Sequence, residues 1–461
     1  MHKIVAPTGN PSARLAPAPH SPQNQPQQRA DSARSALAVV VGSALEWYDF
    51  FLYSLLVGSV MSGSFFPTTD RYVGAFAAYA TFAVGFIARP FGGLLLANLS
   101  DRFGRKRILV LILFLTGGSS FLIGLLPTYA SIGIAAPLAL LALRILQGVG
   151  AGAEFAVAAV YAVESGAASG RGLRGALPAT GVYAGMLLAS AALGVVSSLT
   201  GAHFAVWGWR IPFLFSGVLL LAGWWIRGNL RETQAFEANA QARANGHFRD
   251  GADSEVAAVP RHPTRTLLRN EWRGVLFVVG AQCAQAGLGF LYLTFTAFYL
   301  TQKLGMPREV ALQATLISAA VAVVSAPIFG MLADKIGVRR FFIGALVFCL
   351  FASLAYFPML QTRNLWLINT AMVLTIGLGV NALLAVQGAL FSAQFPAAVR
   401  TSGVALGREL STAVIGGLTP LVAVFVLRAH GATGVTALAL VITGISLATL
   451  LFARSKNHGA D

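Results

Sequence analysis

Long apolar segments recur along almost the whole chain, and each is close to the length of a helix that crosses a membrane. About 20 apolar residues in a helix span the roughly 30 Å hydrocarbon layer of a bilayer. Segments of this kind lie at residues 36–60, 73–97, 108–126, 134–162, 175–199 and 210–226, and again at 274–299, 309–332, 341–357, 365–394, 399–427 and 433–453. The pattern predicts an all-α membrane protein with twelve transmembrane helices.

Polar segments divide these twelve helices into two sets of six. The first segment is rich in Pro, Gln, Ala and Ser and lacks an apolar core, so it is not a cleaved signal. The predicted boundaries are a disordered cytoplasmic tail at 1–35, an N-terminal six-helix bundle at 36–227, a cytoplasmic linker at 228–272, a C-terminal six-helix bundle at 273–453 and a cytoplasmic tail at 454–461.

The composition supports a membrane protein and excludes a soluble multidomain enzyme. Of 461 residues, 56% are hydrophobic and only 11% are charged. The two cysteines lie in apolar segments and cannot form a disulfide framework or a metal cluster. We therefore expect no metal and no cofactor.

The net charge of +16 would indicate a nucleic-acid partner in a soluble protein, but basic loops are retained in the cytoplasm in a membrane protein. With both termini inside, 24 of the 33 lysines and arginines lie in cytoplasmic loops and tails. The topology thus accounts for the charge without nucleic acid. It predicts a multi-pass protein of the plasma membrane, the bacterial inner membrane, in contact with the lipid bilayer.

The two halves share a repeated loop after their second helix. The sequence DRFGRK at 101–106 recurs as DKIGVRR at 334–340. In each copy an Asp opens a short turn, a Gly permits it, and basic residues hold it in the cytoplasm. A plain basic loop is the simpler interpretation of one copy, but two copies at equivalent positions argue against it.

These loops resemble the signature of the major facilitator superfamily, Gly-x-x-x-Asp-Arg-x-Gly-Arg-Lys, although Ala97 replaces the first Gly. The resemblance implies two pseudo-symmetric six-helix bundles, alternating access, and a central cavity lined by helices 1, 4, 7 and 10. It also implies that the loops act in conformational switching. The residues concerned are Asp101, Arg102, Gly104, Arg105, Lys106, Asp334, Gly337, Arg339 and Arg340.

Further segments are similar to the metabolite:proton symporter subfamily. They include SALEWYDFFLY in helix 1, GFIARPFGGLL in helix 2 and LRILQGVGAGAE in helix 4. Members of that subfamily carry carboxylates such as citrate, shikimate or 2-oxoglutarate, or osmolytes such as proline and betaine. The sequences GALPATGVYAG in helix 5 and GREL at 407–410 depart from relatives, so the substrate cannot be transferred residue by residue.

Seven ionisable residues fall inside predicted helices, where each costs at least about 2.5 kcal/mol without a partner or a wet cavity. At about 1.5 Å per residue, Arg144, Glu46 and Asp49 can share the midplane, whereas Glu154 and Arg89 lie nearer the cytoplasm and are predicted to pair. Arg408 and Glu409 are adjacent, so they point about 100° apart and are not expected to face one cavity together.

These residues suggest a site that couples a proton to a solute. An acid near an arginine and an acid in an apolar pocket differ in proton affinity, so a motion that separates them would couple the two. The proton-coupling candidates are Asp49, Glu46 and Glu154. The substrate-binding candidates are Arg144, Arg89, Gln282, Gln285, Tyr292, Asn381 and Gln387. The alternative for the charged residues is that they form buried ion pairs that only hold helices together. The alternative for the polar residues is that they form hydrogen bonds between helices.

Three glycines in helix 4 superficially resemble a phosphate-binding loop. Gly148, Gly150 and Gly152 follow no strand and lie in an apolar segment, so close helix packing is the better interpretation. Gly181 and Gly185 are expected to act in the same way.

Together these features predict a monomeric, proton-coupled secondary transporter that imports a small organic acid, driven by the proton gradient. The alternatives are a zwitterionic osmolyte symporter or a metabolite exporter of the same fold. A membrane-embedded enzyme is more remote, because no histidine falls within a predicted span and no nucleophile motif is present.

Overall fold

The computed structural model describes residues 25–68, 70–103, 105–152, 171–228, 269–396 and 399–452. Within these ranges the chain is helical and contains no β-strand. Eight helices are long and apolar enough to cross a membrane, and three shorter apolar helices lie between them.

The helices follow the predicted segments. In the N-terminal half they are α1 (residues 25–65), α2 (Arg71–Phe103), α3 (residues 105–125), α4 (Ala135–Ala151), α5 (Arg171–Thr200) and α6 (Arg210–Gly228). In the C-terminal half they are α7 (Trp272–Lys303), α8 (Arg308–Ile336), α9 (Val338–Gln361), α10 (Leu365–Ser392), α11 (residues 400–430) and α12 (residues 432–452).

Two helix boundaries differ most from the prediction. Helix α1 already begins at Gln25, ahead of the predicted start at residue 36. The added residues include Gln, Arg and Ala, which favour helix although they are polar, so an apolar run could not reveal them. The fourth predicted segment extends to residue 162, whereas α4 ends at Ala151 and residues 153–170 lie outside the described chain.

Glycines with positive φ separate consecutive helices in the C-terminal half. Gly337 has φ 94° between α8 and α9, and Gly431 has φ 68° and ψ −163° between α11 and α12. Only glycine reaches such backbone angles without strain. The fifty-odd residues from Ser402 to Phe452 are therefore two helices joined by a sharp turn.

Several helices contain π-helical turns, which recur at functional sites in proteins. They lie at Val57–Met61 in α1, Phe114–Gly118 in α3, Leu291–Phe295 and Tyr299–Lys303 in α7, Val373–Val380 in α10 and Thr412–Gly416 in α11. Each widens its helix locally and re-aims the side chains around it. Helices α1, α7, α10 and α11 line the central cavity described below, whereas α3 does not.

Glycines bring α4 against α2 and α1 against α5. A Cβ at Gly148 would lie 2.0 Å from the carbonyl oxygen of Gly85, and one at Gly152 would lie 2.0 Å from that of Arg89. A Cβ at Gly181 would lie 2.5 Å from the carbonyl oxygen of Val40. These distances confirm close packing as the role of these glycines.

The two halves pack against each other chiefly through α5 with α8 and through α2 with α11. The described residues from 39 onward form one compact unit that includes both halves, and residues 25–38, which are helical, belong to a second unit. Residues 229–268, within the predicted linker, and 453–461, at the predicted tail, lie outside the described chain. The predicted domain boundaries stay predictions.

Candidate functional site

The main cavity lies between the two halves and is lined by α1, α5, α7, α10 and α11. About 40 Å³ of it is open to the centres of water molecules, which is room for about three waters. Its polar lining comes from Trp47, Tyr183, Gln285, Arg408 and Thr412. Three of the four helices expected around a central cavity are present, but the described part of α4 contributes no lining residue.

A buried cluster of charges joins the two halves beside this cavity. The Arg89 Nε on α2 donates to Glu409 Oε2 on α11 at 2.8 Å, and Arg408 Nη1 donates to Glu409 Oε1 at 3.1 Å. The three side chains are at most 4% exposed. The charge of Glu46 on α1 also interacts with Arg408. Glu409 thus bridges an arginine of each half.

This cluster differs from the arrangement expected from the sequence. The acid that contacts Arg89 is Glu409, a residue that the sequence did not place there, while the expected partner Glu154 lies outside the described chain. Arg408 lines the cavity and Glu409 turns toward α2, as their angular separation requires. Their side chains nevertheless meet, because both are long enough to reach across that angle.

Glu46 and Asp49 line a second, smaller cavity together with Arg89, Thr116 and Gln147. Its volume open to water centres is about 10 Å³, close to that of a single water. The Asp49 carboxylate accepts a hydrogen bond from Ser216 on α6. Asp49 therefore faces the interior of the N-terminal half and does not line the main cavity, and its expected grouping with Arg144 at the midplane stays a prediction.

Arg144 is a buried cation held by aromatic rings and an amide. Its guanidinium lies 4.0 Å from the centroid of the Tyr53 ring and donates to the Oε1 of Gln147. Its Nε has no hydrogen-bond partner, and Arg144 makes no ion pair with any described residue. Cation–π contact offsets part of the cost of burying the charge. Gln147 in turn donates to Ser120 at 2.8 Å.

An aromatic cluster lies between Arg144 and the main cavity. Phe50 and Phe82 each lie within 5.8 Å of the guanidinium carbon of Arg144. The ring of Phe290, which lines the cavity from α7, lies 5.6 Å from Phe50 and 5.7 Å from Phe82. Arg144 therefore reaches the cavity only if these rings move.

The five polar candidates of the C-terminal half take different roles. Gln285 lines the cavity and accepts from Gln282 at 2.7 Å. Tyr292 bonds to Ser353 on α9, and Asn381 donates to Ala322 and Ser325 on α8, so these two join helices. The Gln387 amide is buried, and no described residue bonds to its oxygen or nitrogen.

At the end of the molecule that carries the signature loops, here called the signature-loop end, the second loop contacts the N-terminal half. Asp334 accepts from the backbone N–H of Gly172 at 2.7 Å and of Leu173 at 3.1 Å, at the start of α5. Gly337 ends α8, Arg339 donates to the carbonyl of Leu450, and Arg340 is exposed.

The first signature loop is less fully described. Asp101 and Arg102 belong to the end of α2, and Arg105 and Lys106 to the start of α3. The side chains of these four residues and the whole of Gly104 lie outside the described part of the structure. Their predicted switching role stays a prediction.

The halves also meet at the other end, here called the opposite end. Arg428 Nη1 at the end of α11 lies 3.0 Å from Asp70 Oδ2 before α2. Arg308 on α8 donates to the carbonyl of Gly201 at 3.1 Å. Contacts between the halves therefore exist on both sides of the main cavity.

Several residues of these cavities were missed by sequence reasoning. Gln147 and Ser216 partner Arg144 and Asp49, and Trp47 lines the main cavity while its ring lies 5.6 Å from the Arg89 guanidinium carbon. A signal existed for Gln147, since it is three residues after Arg144 and so on the same helical face. Nothing local marks Ser216. Among described residues, no group of three or more His, Cys, Asp or Glu could hold a metal ion.

Comparison with known proteins agrees with this architecture. Residues 39–420 match the family described as Major Facilitator Superfamily. A Shikimate transporter of Escherichia coli (strain K12) is 32% identical over 391 residues, covering 85% of this chain and 86% of the relative. A Proline/betaine transporter of the same organism is 30% identical, covering 86% of this chain and 78% of the relative.

Solved structures give the same fold. The proton:xylose symporter XylE bound to 6-bromo-6-deoxy-D-glucose matches with a TM-score of 0.70 and 17% identity, covering 92% of this chain and 95% of that one. The twelve-helix, two-bundle prediction is thereby confirmed, as is the predicted family. The chain belongs to the Major Facilitator Superfamily and is a multi-pass membrane transporter, not an enzyme.

Proposed function

We propose that the protein is a proton-coupled secondary transporter that imports a small organic acid by alternating access. The observation that carries this proposal is that Arg408 and Gln285 both line the main cavity between the halves. A guanidinium and an amide together match a carboxylate and its neighbouring hydroxyl or carbonyl groups. Trp47 and Phe290 supply apolar contact for the carbon skeleton.

The contacts between the halves support alternating access. Because they lie on both sides of the cavity, the structure has the features of an occluded state, from which either end could open. Outward and inward opening then require different sets of contacts to break. The proton gradient supplies the direction, and no cofactor enters this scheme.

Asp49 is the proposed proton site. Its carboxylate is 6% exposed, faces a cavity of single-water size, and has a hydroxyl, Ser216, as hydrogen-bond donor. A carboxyl group in such a setting exchanges its proton when the site becomes wet and holds it when the site is dry. Glu46 lines the same cavity and is the second acid through which a proton can pass.

Arg144 is proposed to be a second anion contact that becomes available when the cavity enlarges. It is buried with no acid partner among the described residues, and only the aromatic cluster separates it from the main cavity. A dicarboxylate or tricarboxylate could then contact both arginines. A monocarboxylate would need Arg408 alone.

The relatives support two substrate classes. The relative that is 32% identical is named a Shikimate transporter, which carries a hydroxylated carboxylate, whereas another is named a Proline/betaine transporter, which carries zwitterions. A zwitterion needs an anionic or aromatic contact for its cationic group, and Trp47 is positioned to give one. Osmolyte symport is therefore the second candidate function. Export of a metabolite by the same fold is the third.

The relatives also support the cellular setting of the proposal. One of them is an Inner membrane metabolite transport protein of Escherichia coli, 31% identical. We place the chain in a bacterial inner membrane as a monomer, with both termini in the cytoplasm. Its partners are then protons, one solute and lipid, without nucleic acid.

Purified protein in liposomes tests this proposal. Radiolabelled shikimate, citrate, 2-oxoglutarate, proline and betaine are offered in turn with an inward proton gradient, with and without a protonophore. We expect gradient-dependent accumulation of one carboxylate, and accumulation of proline or betaine instead would support the second candidate. Arg408→Gln should raise the KM of that carboxylate at least about tenfold, because a charged hydrogen bond contributes about 1.5–3 kcal/mol.

Arg363→Gln is the matched control, because Arg363 is exposed in the loop before α10 and lies away from both cavities. It should leave uptake unchanged. An Arg408→Gln variant that transports with the wild-type KM would contradict the role given to the cavity.

A further inference from the structure

We propose that Glu409 is a second switch carboxylate of this transporter: ionised, it holds the two halves together at the signature-loop end, and protonated, it releases them. The inference rests on the proposed proton-coupled transport and assigns to it a gate. The sequence left the role of Glu409 open. Its position between an arginine of each half indicates a role in controlling the separation of the halves.

The bridge lies in the half of the molecule nearer the signature loops. Glu409 is nine residues from the start of α11 at Arg400, which is about 14 Å along the helix axis. Arg89 approaches it from α2, which runs toward the same end. Opening of that end moves α2 and α11 apart and must therefore break the 2.8 Å contact between them.

The same carboxylate touches the cavity through Arg408. One oxygen of Glu409 accepts from Arg408 at 3.1 Å, and Arg408 lines the main cavity. An anionic solute bound there competes with Glu409 for the Arg408 guanidinium. Glu409 then keeps Arg89 as its remaining described arginine partner. A solute bound in the cavity therefore changes the number of arginines that hold Glu409, and so the stability of the closed end.

The charged and titratable groups around Glu409 are few in the described part of the chain. Arg89 faces it from α2, Arg408 lies beside it on α11, and Glu46 from α1 interacts with Arg408. From α7 the nearest such group is Cys283, which accepts from Ser411 at 3.9 Å. Helix α10 carries no ionisable side chain.

The proton step is balanced without another reactant. A proton from the aqueous phase forms an O–H bond on one oxygen of Glu409, which loses its negative charge. The ion pair with Arg89 is then lost, and a buried pair broken in this way strongly favours separation of the two groups. When the end has opened to the cytoplasm, the proton leaves to water and the ion pair can form again.

The experiment measures the gate directly and needs no substrate. Spin labels are attached at Trp224→Cys on α6 and Gly344→Cys in the second turn of α9, both exposed residues toward the signature-loop end in opposite halves and outside the signature loops. The native thiols of Cys283 and Cys349 are buried, so labelling is selective. Distance distributions are recorded in liposomes between pH 5 and pH 8.

For the wild type we expect the long-distance, open population to grow as the pH falls. Glu409→Gln should raise the ratio of open to closed protein about five- to 150-fold at pH 8, the range of typical coupling energies, and remove its pH dependence. Arg89→Gln removes the partner and should open the same end. Asp49→Asn, which changes the other proposed proton site, should keep the pH dependence of the distances.

The outcomes separate this inference from the proposed function. If Glu409→Gln keeps the wild-type distances and pH dependence while uptake in liposomes is proton-driven, the gate is wrong and the transport proposal stands. If wild-type distances respond to pH through Glu409 but no solute accumulates, the gate stands and the transport proposal fails. A variant that does not fold is recognised by a changed elution profile in detergent. Glu409→Asp keeps the negative charge and should therefore keep the signature-loop end closed at pH 8, unlike Glu409→Gln.

Discussion

The contact between α2 and α4 gives a sharp test of the packing. At Gly148 an added methyl group would lie 2.0 Å from the carbonyl oxygen of Gly85, 2.9 Å from its carbon and 3.1 Å from the Cβ of Ala88. The two helices must therefore move apart by at least about 1 Å to accept Gly148→Ala, since contacts under about 3 Å are repulsive. These helices carry Arg89 and Gln147, which line the smaller cavity, so the movement also disturbs that cavity.

The size of the effect follows from a comparison of two alanine variants. Gly344→Ala lies in the second turn of α9 with nothing within 4 Å of the new Cβ, so it gains only the greater helix propensity of alanine. The same gain applies to Gly148→Ala. Their difference in free energy of unfolding is therefore the overpacking cost, about 1–3 kcal/mol.

Thermal unfolding of the two variants in detergent measures that difference. We expect Gly344→Ala to unfold at or above the wild-type midpoint and Gly148→Ala to unfold at least about 2 °C below the Gly344 variant. The Gly148 variant should also show a larger open population at the signature-loop end. If both variants have the same midpoint and the same uptake rate, α2 and α4 are not in contact at this glycine and the reasoning is refuted.

Three further substitutions have expected outcomes that differ in size. Asp334→Ala leaves two backbone N–H groups at the start of α5 without their acceptor and should cost about 1 kcal/mol, seen as a larger open population between labelled α6 and α9. Asn381→Ala removes the donor to α8 and should lower the free energy of unfolding by about 1–3 kcal/mol in chemical denaturation. Arg428→Gln breaks an ion pair whose side chains are 58% and 35% exposed, and should change the same quantity by less than about 1 kcal/mol.

The number and order of helices could be predicted because the hydrophobic pattern reports burial in lipid directly. Each of the twelve segments corresponds to a helix of the structure, and the repeated loops placed the two halves in register. Polar residues that form helix, such as those after Gln25, do not carry that signal. The sequence therefore located spans better than helix ends.

The site was predicted less completely, because the partners of its charges come from distant helices. The contact of Arg89 with Glu409 spans 320 residues, and that of Asp49 with Ser216 spans 167. Helical depth predicts how far along its helix each charge lies, but depth cannot state which neighbouring helix faces which side chain. The contact of Glu409 with Arg89 could not be predicted for this reason.

Burial alone also could not separate the two arginines of the candidate site. Arg144 and Arg408 are both buried, at 1% and 3% exposure, yet only Arg408 lines the main cavity. The difference arises from the aromatic rings of α1, α2 and α7, which come together only in the folded protein. In the sequence these phenylalanines cannot be distinguished from residues that simply face lipid.

The most direct test of the central claim is the accumulation of radiolabelled carboxylates by liposomes that contain the pure protein. With the interior at pH 8 and the exterior at pH 6, we predict that one carboxylate is concentrated inside and is released when a protonophore collapses the gradient. If every carboxylate and osmolyte offered only equilibrates across the bilayer, at the same rate with and without the gradient, the claim of proton-coupled import is contradicted.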